Sequence, residues 1–404
     1  MPIEMIEEFD QGTRIKVVGV GGGGGNAVEH MISQGVQGVE FVCANTDAQA
    51  LNRSSAHQLI QLGENGLGAG GKPEKGQAAA VEAEARIRAS LEGAHMVFIT
   101  AGMGGGTGTG AAPIVAKVAK EMGILTVGVV TKPFDFEGPR RMKQADVGTA
   151  ELEANVDSLI VVLNEKLLDV LGDDVTQDQA FAHANDVLKN AVGGISDIIH
   201  MPGLVNVDFE DVKTVMSEPG KAMMGTAQAS GPDRATTAAE AAVACPLLEG
   251  IDLSGARGVL VLIAANRNTF KLAESRNAMN TIRRYAADDA HVIYGTAYDE
   301  SLGDQLRVTV IATGLSPQRR QQQAPMSVVH SMPAKMTGTN DLPILQHALT
   351  QPMQAGGNAP HDYSALTTPS VWRNGRTAAA KVDALASNGM DEIEIPAFLR
   401  KQAD

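Results

Sequence analysis

Residues 101–110 read Ala-Gly-Met-Gly-Gly-Gly-Thr-Gly-Thr-Gly and lie between two apolar segments. The segment before them, His95–Thr100, has the length and composition of a buried strand, and the segment after them, Ala111–Ala119, has helical spacing. Pro113 suits the first turn of that helix. Glycines at a strand-to-helix turn let the backbone approach an anion and direct its N–H groups at it. The stretch therefore predicts a phosphate-binding turn, with its threonines as hydroxyl donors.

A second glycine turn lies near the start of the chain. Arg14–Val20 is apolar enough to predict a strand, Gly21–Gly25 follows as a turn, and a helix is predicted to begin at Asn26. A strand, a glycine turn and a helix form the opening unit of many nucleotide-binding α/β proteins.

This opening also allows a nicotinamide-dependent dehydrogenase. Gly19, Gly21 and Gly24 satisfy the G-x-G-x-x-G pattern, which is weak evidence in a glycine-rich segment. That class requires an acidic residue at the end of the second strand, here Val39–Ala44, and Asp47 lies slightly late for this role. A dehydrogenase would also leave the second glycine turn without a task, so we regard it as the weaker alternative.

Composition limits the class of protein. The 404 residues suffice for two domains and tails, and a core with 44% apolar but only 3% aromatic residues is mainly aliphatic, as in α/β proteins. A net charge of −14 argues against nucleic-acid binding. Two cysteines suit a reducing cytoplasm. Nothing resembles a signal peptide or an apolar run of about 20 residues, so we expect a cytoplasmic protein without direct membrane insertion.

The sequence GGGTGTG at Gly104–Gly110 resembles the signature of the tubulin/FtsZ family, and Asn45–Leu51 resembles a second loop of that family. The resemblance implies a Rossmann-like GTP-binding domain and a second α/β domain joined by a long central helix. It also implies a self-assembling GTPase that polymerises head-to-tail into filaments of the bacterial division ring and hydrolyses GTP at the subunit interface. The implied ligands are GTP and GDP, with Mg²⁺.

By the same resemblance, one nucleotide contacts both glycine turns, the loops that follow them and the start of the long helix. Phe181 would stack on the guanine and Asn185 would hydrogen-bond it. No metal site formed by protein side chains is predicted. The residues implied are Gly21, Gly22, Asn26, Asp47, Gly104, Gly105, Gly106, Thr107, Gly108, Thr109, Glu137, Arg141, Phe181 and Asn185.

Four residues near the predicted nucleotide site depart from the family pattern. Gly71-Lys72 replaces a common Ala-Asn in a loop that senses the γ-phosphate, Pro139 replaces a basic residue, and Leu163 replaces a proline. The lysine either adds charge beside the phosphates or lies in solvent. The departures keep a third class open, a nucleotide-binding scaffold that does not hydrolyse GTP.

Apolar spacing predicts one long helix, Asp178–His200, with apolar residues on two faces, so we expect it to be buried between two bodies. Asp208 and Asp211 follow it, three residues apart, and this spacing alone equally fits a helix cap. The resemblance identifies them, with Asn206, as the catalytic loop. Because the helix spans about 35 Å, these carboxylates would act on the nucleotide of another subunit.

The predicted organisation has six parts. The C-terminal peptide resembles the family's docking segment for membrane tethers and division regulators of the FtsA, ZipA and MinC type, which implies a protein at the mid-cell division site. The parts are a flexible arm (1–12), the GTP-binding domain (13–177), the central helix (178–201), a GTPase-activating C-terminal domain (202–315), a disordered linker (316–390) and the C-terminal peptide (391–404).

Overall fold

A computed structural model describes residues 12–172, 174–200, 207–218, 220–245, 255–287 and 289–315. Asn206, the linker, the C-terminal peptide and all but the last residue of the predicted arm lie outside the described residues.

Ten strands of the described residues form one mixed sheet in the order β3-β2-β1-β4-β5-β6-β7-β10-β8-β9. The first six pair in parallel. The strands are β1 (Ile15–Val20), β2 (Val39–Asn45), β3 (Gln58–Gln61), β4 (Met96–Gly102), β5 (Leu125–Lys132), β6 (Ser158–Leu163), β7 (Lys221–Ala229), β8 (Gly258–Ala265), β9 (His291–Tyr298) and β10 (Leu306–Leu315).

The central strands are buried on both faces. All six residues of β1 and all eight of β8 are buried, and their valine-rich sequences are typical of strands covered by helices on each side. β7 connects the two halves of the sheet: it pairs in parallel with β6 through only two residue pairs and antiparallel with β10 over most of its length. The α/β class and its two strand groups are therefore confirmed, within one continuous sheet.

Eleven α-helices cover the sheet in the described part of the chain. They are α1 (Gly21–Ser33), α2 (Ala48–Leu51), α3 (Pro73–Glu82), α4 (Glu84–Leu91), α5 (Thr107–Glu121), α6 (Pro139–Glu153), α7 (Asn164–Leu171), α8 (Gln177–His200), α9 (Phe209–Met216), α10 (Arg234–Val243) and α11 (Leu272–Arg283).

Two predicted helix starts were wrong. α1 begins at Gly21 rather than Asn26, and α5 begins at Thr107, so Pro113 lies inside this helix and not in its first turn. Residues 21–25 thus begin α1, whereas in the second stretch Gly104, Gly105 and Gly106 precede α5 and only Gly108 and Gly110 lie in its first turn. Pro113 is the seventh residue of α5, so the carbonyl of Thr109 lacks its usual intrahelical N–H donor.

The long helix α8 agrees with its prediction to within one residue. Its apolar side chains, among them Val187, Leu188, Ile195 and Ile198, belong to the same buried cluster as residues of β5 and β6 on one side and of β8 and β9 on the other. A helix with buried residues on more than one face fits this position, in contact with both halves of the sheet.

The partly buried carboxylate of Asp197 faces a cavity of about 480 Å³ between α8 and the strands β8–β10. Burial raises the pKa of Asp197 to about 6; the charges of Arg307 and His200 oppose the increase and that of Asp299 adds to it. The charged or titratable groups around the cavity are Lys189 and His200 on α8, Asp299 and Glu300 after β9, and Arg307 on β10.

We predict that Asp197→Asn stabilises the protein at pH 7.5. The folded chain holds the Asp197 proton up to about pH 6, whereas an unfolded aspartate releases it near 3.8, so the parental stability falls as the pH rises between these values. The difference corresponds to about 3 kcal/mol, which the asparagine variant does not lose. Denaturant unfolding of the parental protein and of Asp197→Asn at pH 5 and pH 7.5 measures their free energies of unfolding. If the two proteins differed by the same free energy at both pH values, the raised pKa of Asp197 would be contradicted.

Candidate nucleotide site

A cavity of about 310 Å³ lies at the carboxyl ends of the parallel strands and is closed on one side by α8. This is the edge at which open parallel sheets bind ligands. Ten of the predicted residues line it: Gly22, Asn26, Gly105, Gly106, Thr107, Gly108, Glu137, Arg141, Phe181 and Asn185.

The two glycine turns meet because neither carries side chains at the contact. A Cβ on Gly21 would lie 2.7 Å from the backbone nitrogen of Gly108. Gly22 and Gly105 have the opposite surroundings, since a Cβ there would find no atom within 4 Å. Neither α1 nor α5 has a side-chain cap at its N terminus. Two helix N termini with free N–H groups therefore border one cavity, which favours an anionic ligand.

Threonine hydroxyls fix the shape of this turn. The N–H of Gly104, whose φ is +95°, donates to the Oγ1 of Thr109 at 2.8 Å. The hydroxyls of Thr107 and Thr46 lie 2.6 Å apart. Gly104 and Thr109 thus support the turn from beneath and do not line the cavity.

Two other predicted residues lie beside the cavity. Gly21 lines a neighbouring cavity of about 250 Å³, which shares Gly22 and Asn26 with the first. Asp47 caps α2, where its carboxylate accepts a hydrogen bond from the N–H of Gln49 at 2.9 Å.

Charged and aromatic side chains form the opposite wall. Arg141 Nη1 lies 2.8 Å from Glu137 Oε2, and the other carboxylate oxygen of Glu137 accepts from the N–H of Phe134 at 3.0 Å. Phe134 packs edge-on against Phe181, with 5.3 Å between the ring centroids. Phe181 remains 38% exposed on α8, so its ring can stack on a planar ligand.

The acidic pair lies at the other edge of the sheet. Asp208 caps α9 and accepts from the N–H of Asp211 at 2.8 Å, and both residues are exposed. Phe209 between them packs on His95, which directly precedes β4, while the cavity lies beyond the other end of that strand. The seven residues of β4 separate the edges by about 20 Å. The structure therefore does not bring the carboxylates to the cavity of their own subunit.

Comparison with known proteins decides the family. Residues 14–172 match the tubulin/FtsZ family GTPase domain, and residues 220–316 match the FtsZ family C-terminal domain. The cell division protein FtsZ of Pseudomonas putida is 51% identical over 412 residues, and that of Pseudomonas aeruginosa is 52% identical over 406; each match covers 99% of this chain and 100% of the relative. An FtsZ dimer from M. jannaschii matches with a TM-score of 0.72 and 41% identity, over 75% of this chain and 89% of that one.

The chain belongs to the FtsZ family. The first matched region is a GTPase domain, and it contains both glycine turns, so the FtsZ-family chain is a GTPase and its nucleotide is GTP or GDP. Within the described residues, every helix is too short or too polar to cross a membrane.

One residue of the FtsZ site was missed in the sequence. Asn164, at the start of α7 directly after β6, is 4% exposed and lines the cavity. Its Oδ1 is buried and has no hydrogen-bond partner among the described residues. A buried amide oxygen without a partner is costly, so it is suited to accept a hydrogen bond from a ligand. Two signals marked it in the sequence: its position at the carboxyl end of an apolar run, and its match to the asparagine that follows the proline replaced by Leu163 in the family pattern.

We predict that Asn164→Ala weakens binding of GTP and GDP alike by about tenfold, because the groups of a nucleotide that can donate to its amide oxygen, on the base and the ribose, are common to both. Ser158→Ala is a matched control: Ser158 lies at the other end of β6, and its hydroxyl is also buried without a partner. Equilibrium dialysis measures the affinities. Unchanged binding in Asn164→Ala, or an equal loss in the control, would exclude Asn164 as a ligand contact.

Proposed function

We propose that this GTPase is completed across a head-to-tail contact between two copies of the chain, in the filaments of the bacterial division ring. The supporting observation is the distance between the two halves of the site. The cavity opens at the carboxyl edge of the parallel strands, and Asp208 and Asp211 lie at the amino edge. A second copy stacked on the first brings its acidic edge to the cavity of its neighbour.

Such a contact joins two different surfaces, so it repeats. Each subunit then offers a cavity at one end and a carboxylate pair at the other, and a heterologous contact that does not close by rotation produces a filament. Family membership supports this arrangement, because relatives of nearly the same length are cell division proteins.

The chemistry divides between the two subunits. In the subunit that binds GTP, Thr107 and the free N–H groups at the starts of α1 and α5 stabilise negative charge on the phosphates. Asp208 and Asp211 of the partner subunit orient and polarise the attacking water. Asn206, which lies outside the described residues, stays a predicted member of the same loop.

Mg²⁺ would neutralise charge on the phosphates. The described residues contain no group of three histidine, cysteine or acidic side chains that would hold a metal. Mg²⁺ commonly keeps several waters and binds through substrate phosphates, so the phosphates would be its main ligands, with the hydroxyl oxygen of Thr107 beside them.

The dehydrogenase alternative loses its main support. Gly22 of the first turn and Gly105 of the second line the same cavity, so both turns serve one ligand. The match to the GTPase domain likewise argues against a scaffold that binds GTP without hydrolysis.

We predict that Asp211→Ala binds GTP almost normally and hydrolyses it at least about 10²-fold more slowly, because Asp211 lies far from its own cavity. Thr107→Arg, by contrast, fills the cavity and abolishes binding. A mixture of the two variants should regain activity, since GTP on the Asp211→Ala subunit meets an intact Asp211 of the partner subunit. Phosphate release from each protein alone and from the mixture measures this.

Two results would contradict the shared site. One is parental hydrolysis by Asp211→Ala, and the other is a mixture no more active than the sum of its components.

We also propose that the peptide at 391–404 binds membrane tethers and division regulators of the FtsA, ZipA and MinC type, in the cytoplasm at mid-cell. It ends the chain with acidic, apolar and basic residues in succession, a pattern suited to ordering in a groove of a partner. Both the peptide and the linker at 316–390 lie outside the described residues.

We predict that deletion of 391–404 leaves GTPase activity and filament formation within about twofold of the full chain, because the whole described site precedes residue 316. Binding to an FtsA- or ZipA-type tether should be lost. Phosphate release, light scattering and co-sedimentation with the tether test the three expectations; undiminished tether binding would assign docking to another segment.

A further inference from the structure

Lys72 is a charged residue beside the nucleotide cavity, and it is not one of the residues that line this cavity. It follows Gly70 and Gly71, whose φ angles of +60° and +70° turn the chain, and it precedes α3 as the N-cap residue. Its side chain is exposed and makes no capping hydrogen bond. Within the described residues its ammonium group has no ion pair, although Glu74 lies two positions away in the first turn of α3.

The backbone of this loop packs directly on the phosphate-binding turn. A Cβ on Gly106 would lie 2.9 Å from the backbone nitrogen of Lys72 and 2.9 Å from the Cβ of Ala69. Gly106 itself lines the cavity and is the N-cap residue of α5. A lysine side chain that starts this close to the turn is long enough to reach a phosphate at the N terminus of α5.

A cation is electrostatically unfavourable where Lys72 lies. N-cap positions favour serine, threonine, asparagine and aspartate, because the N terminus of a helix carries partial positive charge. Here the N terminus of α5 is also close by, so positive charge from two helices and one lysine converges. A bound anion would be attracted by the two helix N termini and by the lysine, so the repulsion among these positive charges would be offset.

The order of groups along the cavity indicates which phosphate this is. Phe181 and Asn185, which the family resemblance assigns to the base, line the cavity from α8, whereas Gly106 lines it at the start of α5 and packs on the Lys72 loop. The phosphate farthest from the base is therefore the one nearest to Lys72.

We propose that Lys72 binds the terminal phosphate of the nucleoside triphosphate and so makes the chain favour GTP over GDP. The inference rests on the proposed function, because it takes the nucleotide of that site as the ligand. Lys72 thereby determines specificity between the two nucleotides rather than the choice of base.

The test compares a non-hydrolysable GTP analogue with a methylene-bridged γ-phosphate and GDP. Equilibrium dialysis of the full chain, at concentrations where light scattering detects no assembly, gives both affinities. Lys72→Ala should lower the affinity for the analogue about tenfold and leave that for GDP unchanged. Lys72→Arg should keep most of the affinity because it keeps the charge. Lys75→Ala is the matched control, an exposed lysine in the first turn of α3, and should change neither value.

Two outcomes overturn the proposal. An equal loss of analogue and GDP binding would mean that Lys72 only holds the loop in shape. Unchanged affinities with a higher protein concentration needed for assembly would mean that Lys72 contacts the next subunit. Failure of the parental chain to bind either nucleotide would overturn the proposed function itself, so the two failures are distinguishable.

Discussion

The close approach of two glycine-rich backbones is the constraint on which the rest of the site depends. A Cβ on Gly24 would lie 2.3 Å from the carbonyl oxygen of Thr100, and one on Gly21 would lie 2.7 Å from the nitrogen of Gly108. Because β1 and β4 are parallel neighbours, both turns emerge at the same edge. Any larger side chain at these contacts would separate α1 from α5 and divide one anion site into two weaker ones.

The second constraint is the sheet itself, which keeps the two halves of the chemistry apart. Each copy carries a cavity at the carboxyl edge and carboxylates at the amino edge, with β4 between them. α8 makes this separation rigid, because it contacts strands on both sides of the short β6–β7 pairing. Hydrolysis in the proposed scheme therefore requires assembly, and the length of a strand is the physical reason.

The sequence predicted the strands and helices whose conformation depends mainly on their own residues. The sequence of β8, GVLVLIAA, predicts a strand by itself, because a run of apolar residues of this length needs no further information. β7 was not predicted: its sequence, KAMMGTAQA, neither alternates nor stays apolar, and its strand conformation follows from pairing with β6 and β10. The roles inferred for Phe181 and Asn185 came from resemblance, and both residues line the cavity.

Tertiary context also explains what sequence reasoning missed or placed wrongly. An asparagine after an apolar run has many possible roles, and only the burial of its unpartnered oxygen sets Asn164 apart. The predicted helix starts are wrong because successive glycines indicate a turn, whereas here α1 begins at Gly21 and the first turn of α5 contains Gly108 and Gly110. The domain limits at residues 177, 201 and 315 stay predictions, since one sheet passes across them.

The departures from the family pattern lie where the backbone tolerates them. Pro139 occupies the first position of α6, where the missing N–H donor has no intrahelical acceptor. Leu163 is partly exposed at the end of β6 and leaves Asn164 in the cavity. Gly71 adopts a φ of +70°, a conformation in which an alanine is strained. These three changes alter the chain around the nucleotide without adding a functional group to it. Only Lys72 adds a functional group. Gly71, which turns the chain, places this lysine beside the phosphate-binding turn.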